Sequence, residues 1–375
     1  EYYIGKDYSL GGITLLCRFD GQRVTMASQM SEADETVSSL YSVKSEQATM
    51  LSFDTYNYLV HYFGQPQGSM SDDPNGTLGG DYEFIISSAS AERIELKGKK
   101  YGNRIVMKAL TEDQTWKQYL TKIKKVEDDA FFYEYDLLMD GLYTGQMLRS
   151  NYTFIVTYYD EIGKVHQKTV PFMFTADGLR FHEPVTIDGQ TMQNFVWKNE
   201  LISFVCTDEG ATGVKLAGVY TAGYQSYDYY PGTYQMDFYR LNDETGQLEV
   251  ASQEVRLLKN EDGKSYWLKG LEYDILVMYD KPRGGLSVSP QLLEKVQGGY
   301  VYLAMWDVMN DYVLRGESIG LISYATTNGI YLVDNGVWMG EVSGFIFGVY
   351  NSQEEDAAFI GYTDAVASIR LVKKQ

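Results

Sequence analysis

The chain has 375 residues, 44% of them hydrophobic, and a formal net charge of −19 from 32 basic and 51 acidic side chains. That length exceeds one ordinary domain and the apolar content supports real cores, so two domains are expected and a disordered chain is excluded. The acid excess argues against nucleic acid and against direct docking on an anionic membrane surface, since both need a basic patch.

From the N-terminus, strands are expected at 13–19, 22–28, 40–44, 48–53, 58–63, 82–88, 93–97 and 103–109. The best-patterned stretch is Leu51 to Met107. There Phe84 and Ile86 alternate with Glu83 and Ser87, and Ile94 and Leu96 with Glu95 and Lys97. Period two is the signature of half-buried antiparallel strands. A helix is expected over 112–126, because Trp116, Tyr119, Leu120, Ile123 and Val126 form one stripe, with Thr111 as cap and Glu112 and Asp113 in the first turn. Short helices are also expected at Glu32 to Leu40 and from Ser289-Pro290 to Val296, with Gly298 as a stop.

A second strand set follows at 151–159, 166–174, 179–182, 192–197 and 201–206. The segment YTAGYQSYDYYPGTYQMDFYR, 220–240, then breaks the rhythm and places a boundary near residue 222, giving an N-terminal domain 1–222 and a C-terminal domain 223–375. The third set is expected at 234–241, 247–258, 266–279, 300–306, 317–324, 330–333, 337–349 and 357–372. Asp-Gly at 20–21, 140–141, 177–178, 188–189 and 262–263, and Asn-Gly at 75–76, 328–329 and 335–336, supply the positive φ angles of tight hairpins. The fold class is therefore mainly β: antiparallel meander sheets or barrels, a lipocalin-like closure among the options, with two domains and few short helices.

The chemistry-bearing residues are sparse. His61, His166 and His182 show no spacing for a metal and read as ordinary strand residues. Cys17 and Cys206 sit in apolar runs and read as buried free thiols, a disulfide being the alternative. Asp54, Asp81 and Glu83 are the acids of the best-patterned region; a turn role for Asp54 and a solvent-facing Glu83 are the expectation over a glycosidase-type pair. In the loop 64–81, Asp72, Asp73, Asn75 and Asp81 could offer oxygen ligands to calcium, but the spacing does not fit an EF-hand and a rim loop is the expectation. No nucleophile elbow, P-loop or dinucleotide fingerprint occurs in context, so no catalytic residue, metal or cofactor is assigned. No run of 18 apolar residues is present. The start EYYIGKDYSLGG reads as a trimmed mature segment.

Tyrosine is the compositional outlier, with 33 residues against 16 Phe and 5 Trp. Tyr224, Tyr227, Tyr229 and Tyr230, with Trp338 beyond the Asn335-Gly336 turn, are the ligand-binding candidates, since such rings stack on sugars and grip peptides. The alternative for the tyrosine segment is packing between domains.

YSLGGITLLCRFDG, LSFDTYNYLVHYF, GGDYEFII and IELKGKKYGNRIVM resemble an uncharacterised family of Bacteroidetes lipoproteins classed as a domain of unknown function. The resemblance is strongest over 2–110 and extends towards 206. It implies an outer-membrane lipoprotein at the cell surface, encoded beside TonB-linked nutrient receptors, and it implies no reaction. The resulting expectation is a non-catalytic accessory or binding protein that captures a glycan or peptide for such a receptor. A hydrolase using scattered acids and a lipocalin-like carrier of a small ligand are the alternatives.

Overall fold

The computed structural model describes residues 1–45, 48–66, 77–110, 114–160, 162–242, 244–354 and 356–374. The chain divides into two compact units, Glu1–Val219 and Tyr220–Gln375. Antiparallel β-structure dominates both.

The first unit opens with nine strands: β1 (Tyr2–Ile4), β2 (Gly11–Ile13), β3 (Leu15–Asp20), β4 (Arg23–Ser28), β5 (Val37–Ser45), β6 (Thr49–Phe53), β7 (Glu83–Ala89), β8 (Arg93–Gly98) and β9 (Arg104–Lys108). They form one sheet in the order β2-β1-β9-β8-β7-β6-β5-β4-β3. Its two outer strands, β2 and β3, follow each other in the chain, so the sheet curls round until its ends meet at Thr14. Tyr2, Ile13, Val24, Met26, Leu51, Phe53, Phe63, Phe84 and Ile105 fill the inside.

Eight further strands close a barrel: β10 (Glu134–Met139), β11 (Leu142–Ser150), β12 (Thr153–Tyr159), β13 (Val165–Phe174), β14 (Gly178–Ile187), β15 (Gln190–Lys198), β16 (Ser203–Cys206) and β17 (Val214–Val219), with β10 pairing β17. Closure removes the open edges that otherwise invite aggregation. Asp140-Gly141 and Asp188-Gly189 turn two of its hairpins with positive φ at both residues, the type I′ geometry that matches strand twist. Alternate residues point inward, and the interior is solid with aromatic rings. Phe154 stacks on Phe172 at 4.3 Å, and Phe174, Phe181, Phe195 and Phe204 surround them.

Between the two lies the helix α2 (Trp116–Asp129); α1 is the single turn Tyr58–His61. Thr115 and Gln118 close a capping box on α2, and Leu120, Ile123 and Val126 bury into the barrel's core. The helix thus starts at the first residue of the stripe rather than at the expected residue 112, and Thr115 is its cap; Thr111, expected in that role, lies outside the described residues with Glu112 and Asp113.

The second unit is a sheet of twelve described strands from Gly232–Leu241 to Phe359–Lys373, those two pairing with each other. Its core gathers Tyr230, Tyr234, Tyr266, Leu303, Phe345, Phe347 and Leu371.

Several local expectations are corrected. Residues 58–63 are helical, not a strand, because buried Asn57 accepts the Leu59 amide and starts a turn that a short apolar run permits equally well. Residues 32–40 are not a helix; β5 begins at Val37. Ser289 to Val296 is not a helix either: Gln291–Val296 pairs with Gly299–Asp307, and Gly298, φ 88°, turns that hairpin. The expected strand 266–279 breaks at Gly270 into Ser265–Lys269 and Ile275–Asp280, and 337–349 yields only Gly344–Tyr350. The hairpin β10–β11 was recognisable only by its Asp140-Gly141 turn.

Candidate functional site

Along one line of the curled sheet the described residues leave a gap between β3 and β9. β1 pairs with β9 as far as Tyr2 opposite Ile105, and two more bonds join Glu1 and Val106: the Val106 amide donates to the Glu1 carbonyl and the Glu1 nitrogen to the Val106 carbonyl, both at 2.9 Å. Past that point Met107 and Lys108 have no strand beside them on the β1 side among the described residues. On the other flank β3 pairs, among the described residues, with β4 alone. β2 is three residues long and β3 is six, so a strip beside Leu15–Phe19 is left without a strand.

That strip is the floor of a cleft of about 730 Å³. Leu15, Leu16, Cys17 and Phe19 form one wall and Ile105 to Leu110 the other; Met26 and Phe53 lie beneath. Trp116 and Tyr119 of α2 and Phe174 of the barrel form the far side. The lining is chiefly apolar, and both strand walls present backbone groups of the kind that a further strand would pair. Arg18 lies over the Trp116 ring at 5.3 Å, fixing the indole at the cleft. At one end Lys108 and Arg180 both reach the Glu1 carboxylate, at 2.9 and 3.0 Å. Their attraction holds that carboxyl below its ordinary value, against the opposing effect of burial.

The cysteines are free. Cys206 is buried, but Cys17 is only half-buried because it lines the cleft, a correction to the expectation of burial for both. Burial pushes the Cys17 thiol up to about 12 and the Cys206 thiol up to about 11. Both are protonated at neutral pH and poor nucleophiles.

The motif residues turn out to be structural clamps. Buried Asp81 accepts the amides of Lys100 at 2.7 Å, Tyr101 at 3.0 Å and Asn103 at 3.1 Å, tying GGDYEF to the KGKKYGN turn. A side chain at Gly98 would put Cβ 1.9 Å from Asp81 Oδ2, so glycine is required there. The Tyr2 hydroxyl donates to the Asp81 carbonyl and to Asn103 Oδ1. Asp54 accepts from Ser52 and Lys44, and Glu83 pairs with Lys99. Asp72, Asp73 and Asn75 lie outside the described residues. Among the described residues no group of three His, Cys, Asp or Glu is placed to hold a metal ion.

His61 stacks on Tyr82, and His166 on Tyr158 while bonding Asp160 at 2.8 Å. His182 is packed between Tyr3 and Tyr8.

In the second unit the tyrosine segment is built into the core end of the sheet. Tyr230 is buried, and its hydroxyl donates to the Gly284 carbonyl at 2.8 Å. Tyr227 stacks on Tyr266 at 4.7 Å and donates to the Ser265 carbonyl. Tyr224 is half-buried against Tyr220, and Tyr229 alone of the four is exposed. A ring with both faces packed cannot receive a ligand, so Tyr230 is a core residue. Trp338 is half-buried; its indole N–H donates to buried Asp307 at 3.1 Å, which also accepts from Asn310. It stands edge-on to Tyr312, and the neighbouring Met309 and Met339 are exposed. Sequence reading missed the cleft because its walls come from β3, β9 and α2, and only Trp116 on the helical stripe hinted at it.

No curated protein and no solved structure matches this chain. A model of a domain of unknown function, DUF4987, matches residues 207–347. The model of the domain of unknown function DUF4302 matches residues 1–199, more than half of the chain, and the chain belongs to that family.

Proposed function

We propose that this is a non-catalytic binding protein that takes an extended peptide into the unfilled strip of its first sheet. The observation that carries this reading is the cleft itself: about 730 Å³, more apolar than polar, between the flanks of β3 and β9. Strand addition provides affinity through main-chain bonds and selectivity through alternate side chains. The strip beside Leu15–Phe19 accommodates roughly five residues at about 3.3 Å each. A guest antiparallel to β9 would place one side chain beside Met107 and its neighbour under Trp116, so apolar residues suit both faces.

A carrier of a small apolar ligand would need a hollow interior, and both interiors of this unit are filled with rings. A glycan remains the second class of ligand for the same cleft, stacked on Trp116 and Tyr119. In the cell, the resemblance of residues 2–110 to Bacteroidetes outer-membrane lipoproteins favours a surface-anchored accessory to a TonB-linked nutrient receptor.

The test is a peptide and glycan array on the intact chain, followed by hydrogen exchange of the amides at 15–19 and 107–109. Extended apolar peptides should be retained and should slow exchange at both edges. Trp116→Ala should weaken retention about thirtyfold, as loss of an aromatic anchor does. The reading fails if nothing is retained, or if retention ignores Trp116. It also fails if those amides are already protected in a longer form of the protein, because the strip would then be filled by its own chain.

A further inference from the structure

Beside the cleft lies a second pocket, of about 550 Å³, whose lining includes Arg93, Arg104, Arg180, His182, Glu183 and Gln193. In a chain with a net charge of −19, three guanidinium groups from β8, β9 and β14 converge here. Their existing partners differ. Arg93 is held by Glu95 through Nε at 2.8 Å and Nη2 at 2.7 Å. Arg180 reaches Glu1 at 3.0 Å. Arg104 comes only within 3.9 Å of Glu95, an acid already taken by Arg93, and makes no side-chain hydrogen bond among the described residues.

His182 supplies the second observation. Its side chain is only 6% exposed, and its Nδ1 is buried without a hydrogen-bond partner among the described residues. Nε2 lies 3.9 Å from the exposed Glu183 carboxylate, too far for a hydrogen bond. Tyr3 and Tyr8 fix the ring at 4.3 and 4.2 Å, and Tyr3 stands opposite Arg104 in the β1–β9 ladder. A buried polar atom left unpaired is costly and calls for an explanation, a bound water or ion among them. Burial, then the nearby Arg104, hold the imidazole below its ordinary proton affinity, so the ring is neutral near pH 7 and offers one N–H and one acceptor.

We propose that this pocket is an anion site, in which Arg104 and Arg180 grip a small oxyanion and His182 hydrogen-bonds it or an adjacent hydroxyl. The guanidinium fork fits a planar carboxylate in two parallel bonds and also accepts a tetrahedral sulfate. The Glu1 carboxylate bridging Lys108 and Arg180 shows the same recognition from within the chain. The acids lining the pocket are Glu1 and Glu183, against Arg93, Arg104 and Arg180; Glu95 and Lys108 stand behind them as partners of Arg93 and Glu1. The site does not rest on strand addition in the cleft, because it is probed with free anions.

The test titrates the full chain with sodium glucuronate, with sodium sulfate and with glucose at matched ionic strength. The readout is the ring signal of His182, assigned by its loss in H182Q. Saturable shifts with glucuronate or sulfate, and none with glucose or chloride, are expected; the stronger of the two anions identifies a carboxylate or a sulfate ligand. R104Q should weaken binding at least tenfold at unchanged melting temperature. If R104Q melts early, R104K, which keeps the charge and loses the fork, should still weaken the anion. Equal response to glucose or chloride, or unchanged affinity in folded R104Q or R104K, overturns the proposal. Failure of peptide capture with anion binding intact would reject the cleft reading alone.

Discussion

Removing the carboxylate of Asp81 should cost the first unit about 3 kcal/mol. The side chain accepts three backbone amides, from Lys100, Tyr101 and Asn103, at 2.7 to 3.1 Å. Hydrogen bonds to a charged acceptor contribute about 1.5–3 kcal/mol each, so the gross loss in Asp81→Ala is roughly 4–9 kcal/mol. The Lys100 and Tyr101 amides are only part-buried and regain water, whereas the Asn103 amide is buried and stays unpaired. That discount leaves about 3 kcal/mol, a shift of roughly 6–12 °C for a unit of this size. Asp81→Asn should cost nearly as much, because one carboxylate oxygen becomes an NH2 that faces another donor. Gly98→Ala should also destabilise, since its Cβ would lie 1.9 Å from Asp81 Oδ2. Its cost should shrink once Asp81 is already alanine. Calorimetry on the whole chain separates the transition of this unit from that of the other. A shift below about 2 °C in Asp81→Ala, or an unperturbed Asp81→Asn, would refute the clamp.

Three more outcomes are expected. Neither thiol should alkylate in native protein at pH 8, since burial raises Cys17 to about 12 and Cys206 to about 11; mass mapping after iodoacetamide checks this. Both folded values lie above the ordinary 9.0, so their share of stability is whole below pH 9 and is lost as pH rises through 11 to 12. Asp307 is held below its ordinary 3.8 by its hydrogen bonds from Asn310 and then Trp338, so its contribution is present above that value and disappears as pH falls through the folded one. Trp338→Phe should raise the pH midpoint of acid unfolding in the second unit, read by near-ultraviolet dichroism; an unchanged midpoint would count against the clasp. Tyr227→Ala with Tyr229→Ala should destabilise that unit by about 2–4 kcal/mol through the lost Tyr266 stack and Ser265 bond and so lower its melting temperature, while Tyr229→Ala alone should change little. A double mutant that melts normally but binds ligand weakly would instead assign the segment to recognition.

What could be read in the sequence followed from period and turn chemistry. β7, β8 and β9 announced themselves because one face meets the core and the other meets water. The hairpins at 140–141 and 188–189 were legible because few residue pairs tolerate two positive φ angles. The errors fall where those signals are silent. YLVHYF is apolar throughout, so alternation could not tell a strand from a turn of helix; buried Asn57 decided it. Ser289-Pro290 mimicked a helix start, but the pairing of Gln291–Val296 with Gly299–Asp307 overrode local preference.

The site was less legible for a different reason. Arg93, Arg104, Arg180 and His182 are scattered over ninety positions, and only the docking of the curled sheet beside the barrel brings them to one pocket. The residues that were most visible have the opposite character. Asp54, Asn57, Asp81, Gly98 and Asn103 stand in the motifs that carry the family resemblance, and each is engaged with neighbouring backbone or side chains in a clamp. A resemblance resting on them therefore transmits the curled sheet and its turns. It transmits ligand chemistry only if the strip between β3 and β9 and the arginine pocket come with the sheet, because a neutral side chain at Arg104 would leave every one of those clamps intact.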